Sequence, residues 1–206
     1  MQQGAENMVA GATAVGICCT NGVILAAEKR MALGRFIQSR NVRKVFLVDE
    51  KIGAAVAGLF SDSQHIVRLI KAYVNLYNLE REGEAIGTRT TAKLMANVLF
   101  NNRIFPYYVE PIVGGIDTKG SHIYVLDPIG SLMAEDYAAT GTGAQIAIGV
   151  LEEGYSAGIT TKKGHKIAVE AIRMASRREA TSGDGIDVLV ITQEKGGVIE
   201  TIPPER

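Results

Sequence analysis

The sequence predicts an α+β fold of layered antiparallel sheets, on three observations. Runs with strand character and runs with helical spacing come in groups: strands, two helices, strands, two helices, strands. Grouped elements argue for layers, not for the βαβ alternation of a doubly wound sheet. An Asn-Gly hairpin signal, Thr20-Asn21-Gly22, joins the first two runs. The 206 residues show no internal repeat, no low-complexity tract and no dividing linker, so one compact domain is expected.

Thr13 to Cys19 and Val23 to Glu28 are rich in β-formers and read as the first hairpin. Val45 to Val48 is a short apolar run. Ile52 to Gly58, rich in small residues, suits a strand buried on both faces. Ser61 and Gln64 have capping-box spacing and predict a helix start. Ile66, Leu69, Ile70, Tyr73, Leu76 and Tyr77 then recur at helical spacing, and Gly83 is expected to end that helix. Thr88 opens the next, with Leu94, Met95, Val98 and Leu99 inward and Pro106 beyond its end. Ile112 to Ile116 and His122 to Leu126 form a second hairpin around Asp117 to Gly120. Gly141 to Tyr155 and Thr160 to Ser176 read as helices. Ile186 to Thr192 and Val198 to Ile202 close the chain as strands.

The 22 basic and 22 acidic residues cancel. A dedicated nucleic-acid or anionic-membrane binder would show a basic excess, so neither partner is expected. The longest apolar stretch, Ile52 to Phe60, is far short of a membrane span. Met1 to Ala10 lacks the basic and apolar regions of a secretory signal, which leaves the cytoplasm as the expected location. Cys18 and Cys19 are strand neighbours pointing to opposite faces, so they are expected to stay reduced. His65, His122 and His165 lack ligand spacing, and no phosphate loop or redox motif is present. No metal or cofactor is implied.

Gly11-Ala12-Thr13-Ala14-Val15-Gly16-Ile17 resembles the start of a mature proteasome β subunit, where the family carries Gly-Thr-Thr-Thr-Val-Gly-Ile. Further stretches match the family in order: Leu25 to Arg30, Arg43 to Phe46, Val56 to Gly58, Val113 to Asp117, Gly149 to Glu152 and Ser182 to Gly185. The likeness is nearest to archaeal subunits. It implies the four-layer αββα sandwich of N-terminal nucleophile hydrolases. It also implies a propeptide-like segment, 1–11, ahead of a β-type domain, 12–206. The partners it implies are other β subunits in seven-membered rings, capping α rings, an ATPase regulator and unfolded polypeptide substrate.

The family's nucleophile is a threonine freed by cleavage after the glycine, between the positions of Gly11 and Ala12. Its own α-amine serves as base, and a fixed cation nearby disfavours protonation of that amine. The resemblance gives Lys44 the role of that cation and Glu28 the role of orienting it. Gly58 takes the oxyanion-hole position, where a backbone N–H meets developing negative charge. Thr142 falls at the family's usual serine. Glu179 stands where many members have the shorter aspartate, three residues before Ser182. Met31, Val42, Val56 and Phe60 fall near positions that line the specificity pocket, and they suit cleavage after hydrophobic residues. Taken singly, Lys44 is a surface lysine, Glu28 a solvated strand end, and Met31 and Phe60 core.

Ala12 stands at the nucleophile's position and has no hydroxyl. It can attack neither the Gly11 bond nor a substrate. Thr13 does not replace it, because the next strand residue faces the other way. Two origins remain for Ala12: replacement of a threonine to block self-processing, or a natural non-catalytic subunit of a mixed ring.

Overall fold

The computed structural model describes residues 11–34, 36–81 and 85–204. Two five-stranded antiparallel sheets stack face to face, with helices on both outer sides. The first sheet contains β1 (Thr13–Cys19), β2 (Gly22–Glu28), β10 (Tyr137–Gly141), β11 (Ile186–Thr192) and β12 (Gly196–Ile202), in the order β10-β1-β2-β11-β12. The second contains β5 (Val45–Asp49), β6 (Ile52–Gly58), β7 (Val109–Asp117), β8 (Gly120–Leu126) and β9 (Leu132–Glu135), in sequence order. Helices α1 (Phe60–Glu80) and α2 (Thr88–Asn101) cover the second sheet, and α3 (Ala144–Gly154) and α4 (Thr161–Arg178) cover the first. The result is the expected α+β, four-layer αββα sandwich. A two-stranded ribbon, β3 (Met31–Leu33) with β4 (Phe36–Ser39), stands apart from both sheets.

Strand alternation sorts the side chains into three cores. On β2, Val23, Leu25 and Ala27 face the other sheet, while Ile24 and Ala26 face α3 and α4. On β6, Ala55 and Ala57 face between the sheets, while Ile52, Ala54 and Val56 pack under α1 and α2. Both faces of β6 are therefore buried, as its composition predicts. Ala12, just before β1, and Ala14 lie on the inter-sheet side, and Val15, Ile17 and Cys19 lie under the helices. β1 is thus held by ladders on both edges, with Thr13 opposite Gly141 in β10 and Ala14 opposite Ala27 in β2.

Several local expectations are corrected. Helix α1 starts at Phe60 with Leu59 as its N-cap, and no side chain caps it, so the Ser61–Gln64 capping box does not form. The Leu59 N–H is held by the Tyr108 carbonyl at 2.7 Å, which fixes the chain's entry into the helix before Ser61 is reached. Its buried face is Ser63, Ile66, Val67, Ile70 and Val74, whereas Tyr73 and Leu76 are exposed. Gly83 lies outside the described residues. The first hairpin turns on Thr20-Asn21, because Gly22 already pairs with Cys19. Asn21 instead accepts the Thr161 N–H at 3.0 Å, at the start of α4. Residues 137–141 form β10, so α3 begins only at Ala144.

Candidate active site

Glu28 ends β2 and is fully buried, and Lys44 immediately precedes β5 and is nearly so. Lys44 Nζ donates to Glu28 Oε1, and also to the Arg30 carbonyl at 2.5 Å. Glu28 Oε2 accepts the Arg30 N–H at 2.6 Å and the Gly183 N–H at 3.1 Å. The Thr13 N–H lies 3.4 Å from Glu28 Oε1. The pair is therefore built against the residue that follows Ala12. Burial pushes the Glu28 carboxyl up and the Lys44 amine down, and their mutual attraction opposes both shifts.

Ala12 itself is fully buried and presents only a methyl to the inter-sheet core. Its carbonyl lies 3.4 Å from the Thr142 hydroxyl. Thr13 leaves on the opposite face, where its hydroxyl meets Ser182 Oγ at 2.8 Å. Ser182 Oγ donates to Glu179 Oε2 at 2.7 Å, so the Thr13 hydroxyl donates in turn to Ser182. Burial alone would raise the Glu179 carboxyl. Hydrogen bonds from Ser182, Thr181 and Thr142 outweigh it and hold the carboxyl below its ordinary value.

At two glycines beside the site a side chain would not fit. Gly58 has φ 111°, and a Cβ there would meet the Tyr108 carbonyl oxygen at 2.1 Å. A Cβ on Gly11 would lie 1.3 Å from Thr181 Oγ1. Thr181 Oγ1 is itself held by both Glu179 oxygens at 2.8 Å. The loop carrying Glu179 thus packs directly against the residue before Ala12.

The four expected pocket positions are not brought together: Val56 is turned away from the site. Met31 follows Arg30 and is half-buried. Val42 is buried, and its N–H donates to the Lys29 carbonyl at 3.1 Å. Phe60, half-buried, opens α1 two residues beyond Gly58. Val56 points into the core under α1 and α2, where it packs with Ile66 and Met95.

Sequence reasoning gave no role to Arg30, Arg40, Thr181 or Asp184. Arg30 Nε donates to Asp184 Oδ2 at 2.7 Å, and Arg30 NH1 donates to the Ala180 carbonyl at 2.8 Å. Arg40 NH1 donates to Asp184 Oδ1 at 2.8 Å. Asp184, at φ 64°, is the one non-glycine residue with positive φ among the described residues. The Gly183-Asp184-Gly185 run was the available signal, since such a run suits a left-handed turn. A second buried pair, Lys29 just beyond β2 with Asp187 on β11 at 3.0 Å, lies beside the site.

The cysteines face opposite cores. Burial raises the Cys18 thiol and pushes Cys19 up to about 12, which keeps both protonated. Among the described residues, no three His, Cys, Asp or Glu side chains form a metal-ligand group.

Residues 8–191 match the family model described as proteasome subunit. The chain belongs to the proteasome β-subunit family. It is 46% identical to proteasome subunit beta 1 of Hyperthermus butylicus over 189 residues, 91% of this chain and 92% of the relative. Proteasome subunit beta 2 of Korarchaeum cryptofilum is 46% identical over 193 residues, 93% of this chain and 96% of the relative. The beta 2 subunit of Pyrobaculum arsenaticum is 44% identical, covering 91% of this chain and 92% of its own. This places the proteasome subunit among archaeal relatives and within a family whose chemistry is threonine-type peptide hydrolysis.

Proposed function

We propose that this proteasome subunit occupies a place in a mixed β ring without cleaving peptides itself, completing a protein-degrading chamber whose catalysis is supplied by a partner β subunit. The observation that carries this reading is the buried methyl of Ala12 at the head of β1. Around it stand Lys44, Glu28, Gly58, Thr142, Glu179 and Ser182 in the roles that the family resemblance assigns. Residues 1–11 stay attached, because no hydroxyl is available to release them. The ring stacks against α subunits, receives unfolded polypeptide delivered by an ATPase regulator, and works in the cytoplasm. Relatives named beta 1 and beta 2 support a ring of more than one kind of β chain.

The preserved Glu28–Lys44 pair favours a second reading, in which the scaffold is competent and lacks only its nucleophile. A threonine at position 12 would place its hydroxyl beside that pair. Its freed α-amine, with a pKa of about 8, would then act as base. In that reading Met31, Val42 and Phe60 shape an apolar pocket for the residue before the cut, and Val56, buried under α1 and α2, backs it without lining it.

Two experiments test the two readings. Ala12→Thr is assembled with the α subunits, with and without the partner β chain. Loss of residues 1–11 by intact mass, together with new peptidase activity, supports the competent scaffold. Native mass spectrometry of particles from the source cells decides the ring. Active particles holding this chain in every β position would reject the mixed ring.

A further inference from the structure

We propose that Arg40 is a positioning residue, which pins the base of the β3–β4 ribbon onto Asp184 and so holds the Glu28–Lys44 pair in place. The ribbon leaves the body at Arg30 and returns at Arg40, and both feet bind the same carboxylate. Arg30 takes Oδ2 at 2.7 Å and Arg40 takes Oδ1 at 2.8 Å. The first foot touches the pair through its backbone, because the Arg30 N–H meets Glu28 Oε2 and its carbonyl accepts Lys44 Nζ. The carboxylate touches the pair through its neighbour, because the Gly183 N–H also meets Glu28 Oε2. Asp184 therefore closes a ring of bonds through Arg30, Glu28 and Gly183 beside the pair, and Arg40 braces that ring from outside.

Nothing in the match to the family assigns Arg40 a role, and its side chain is 67% exposed. Exposure sets the size of the effect. A solvent-facing ion pair contributes modestly, so removal of the guanidinium should change loop opening by about two- to fivefold. The same exposure makes the latch sensitive to salt.

The test reads the Ser182 and Gly183 amides, both hydrogen-bonded, by hydrogen exchange in the full chain. Arg40→Met should speed their exchange about two- to fivefold. Arg40→Lys should restore it, since one donor reaches the carboxylate. The gap should narrow in about 1 M salt. Unchanged exchange in Arg40→Met, or no rescue by Arg40→Lys, overturns the proposal.

A second arm rests on the competent-scaffold reading. In processed Ala12→Thr rings, Arg40→Met should lower kcat by a similar factor with KM unmoved. A changed KM with an unchanged kcat would also overturn the proposal. If Ala12→Thr is not processed, that reading fails by itself, and the exchange arm still decides the latch.

Discussion

Lys44→Met isolates the electrostatics of the site. The change keeps most of the side chain's bulk and removes its charge, leaving Glu28 fully buried with only backbone donors at 2.6, 3.1 and 3.4 Å. Breaking a buried pair in this way costs roughly 3–5 kcal/mol. Protonation of the stranded carboxyl sets a ceiling on the cost. From an unfolded pKa of about 4.3, neutralising a glutamate at pH 7 costs about 3.7 kcal/mol, and at pH 5 about 1 kcal/mol. For a chain of this size each kcal/mol moves Tm by about 2–4 °C, so the expected loss is roughly 7–15 °C at pH 7. The sign follows from linkage. The variant's Glu28 has a raised folded pKa, so the penalty is absent below the unfolded pKa and grows as pH rises towards the folded one. Thermal unfolding by circular dichroism, at matched protein concentration and at pH 5 and 7, gives the comparison with the parent chain. Glu28→Gln combined with Lys44→Met should recover most of the pH 7 loss. Equal losses at the two pH values, or no recovery in the double variant, would refute the reasoning.

Other outcomes follow from neighbouring contacts. Gly11→Ala drives a methyl into Thr181 Oγ1 and should cost about 1–3 kcal/mol by denaturant midpoint, with Thr181→Gly in the same chain relieving it. In the Ala12→Thr background the same substitution should slow the loss of residues 1–11, followed by intact mass. Desolvation raises both the Asp184 and Glu179 carboxyls, but hydrogen bonds hold both below their ordinary values, with the charges of Arg30 and Arg40 also acting on Asp184. Their stabilisation is present above the ordinary carboxylate range of about 4 and is lost as pH falls through the depressed values. Ser182→Ala should therefore flatten the fall in Tm between about pH 5 and pH 3.

The layered architecture was legible because grouped elements leave few ways to bury their apolar faces. The elements that escaped notice are short or ambiguous. β3 and β4 have three and four residues and no sustained alternation. β10, Tyr-Ala-Ala-Thr-Gly, carries two alanines and no sustained alternation, so it drew no strand assignment, and its last residue, Gly141, was counted as the start of the helix that follows. The capping-box expectation at Ser61 failed because Tyr108, 46 residues beyond Asp62, ties down both Leu59 and Asp62. Propensity gives way to such tertiary contacts. Within the site, Glu28 and Lys44 were found through family likeness, and their contact is a consequence of folding. Arg30, Arg40 and Thr181 were not found, because what matters about them is a contact with a distant loop. Arg30 and Asp184 are 154 positions apart, and no periodicity connects them.

The placement of β1 has a consequence for how such particles diversify. Its first residues are clamped between two neighbouring strands and two packed sheets, so position 12, directly ahead of them, keeps its seat with alanine in it. Alanine there still fills the inter-sheet core, and the ladders to β2 and β10 are made by backbone alone. The architecture therefore separates membership from chemistry. A duplicated copy can fall silent by the loss of one hydroxyl and still pass as a sound building block, free to drift at its cutting edge while its fold remains under test.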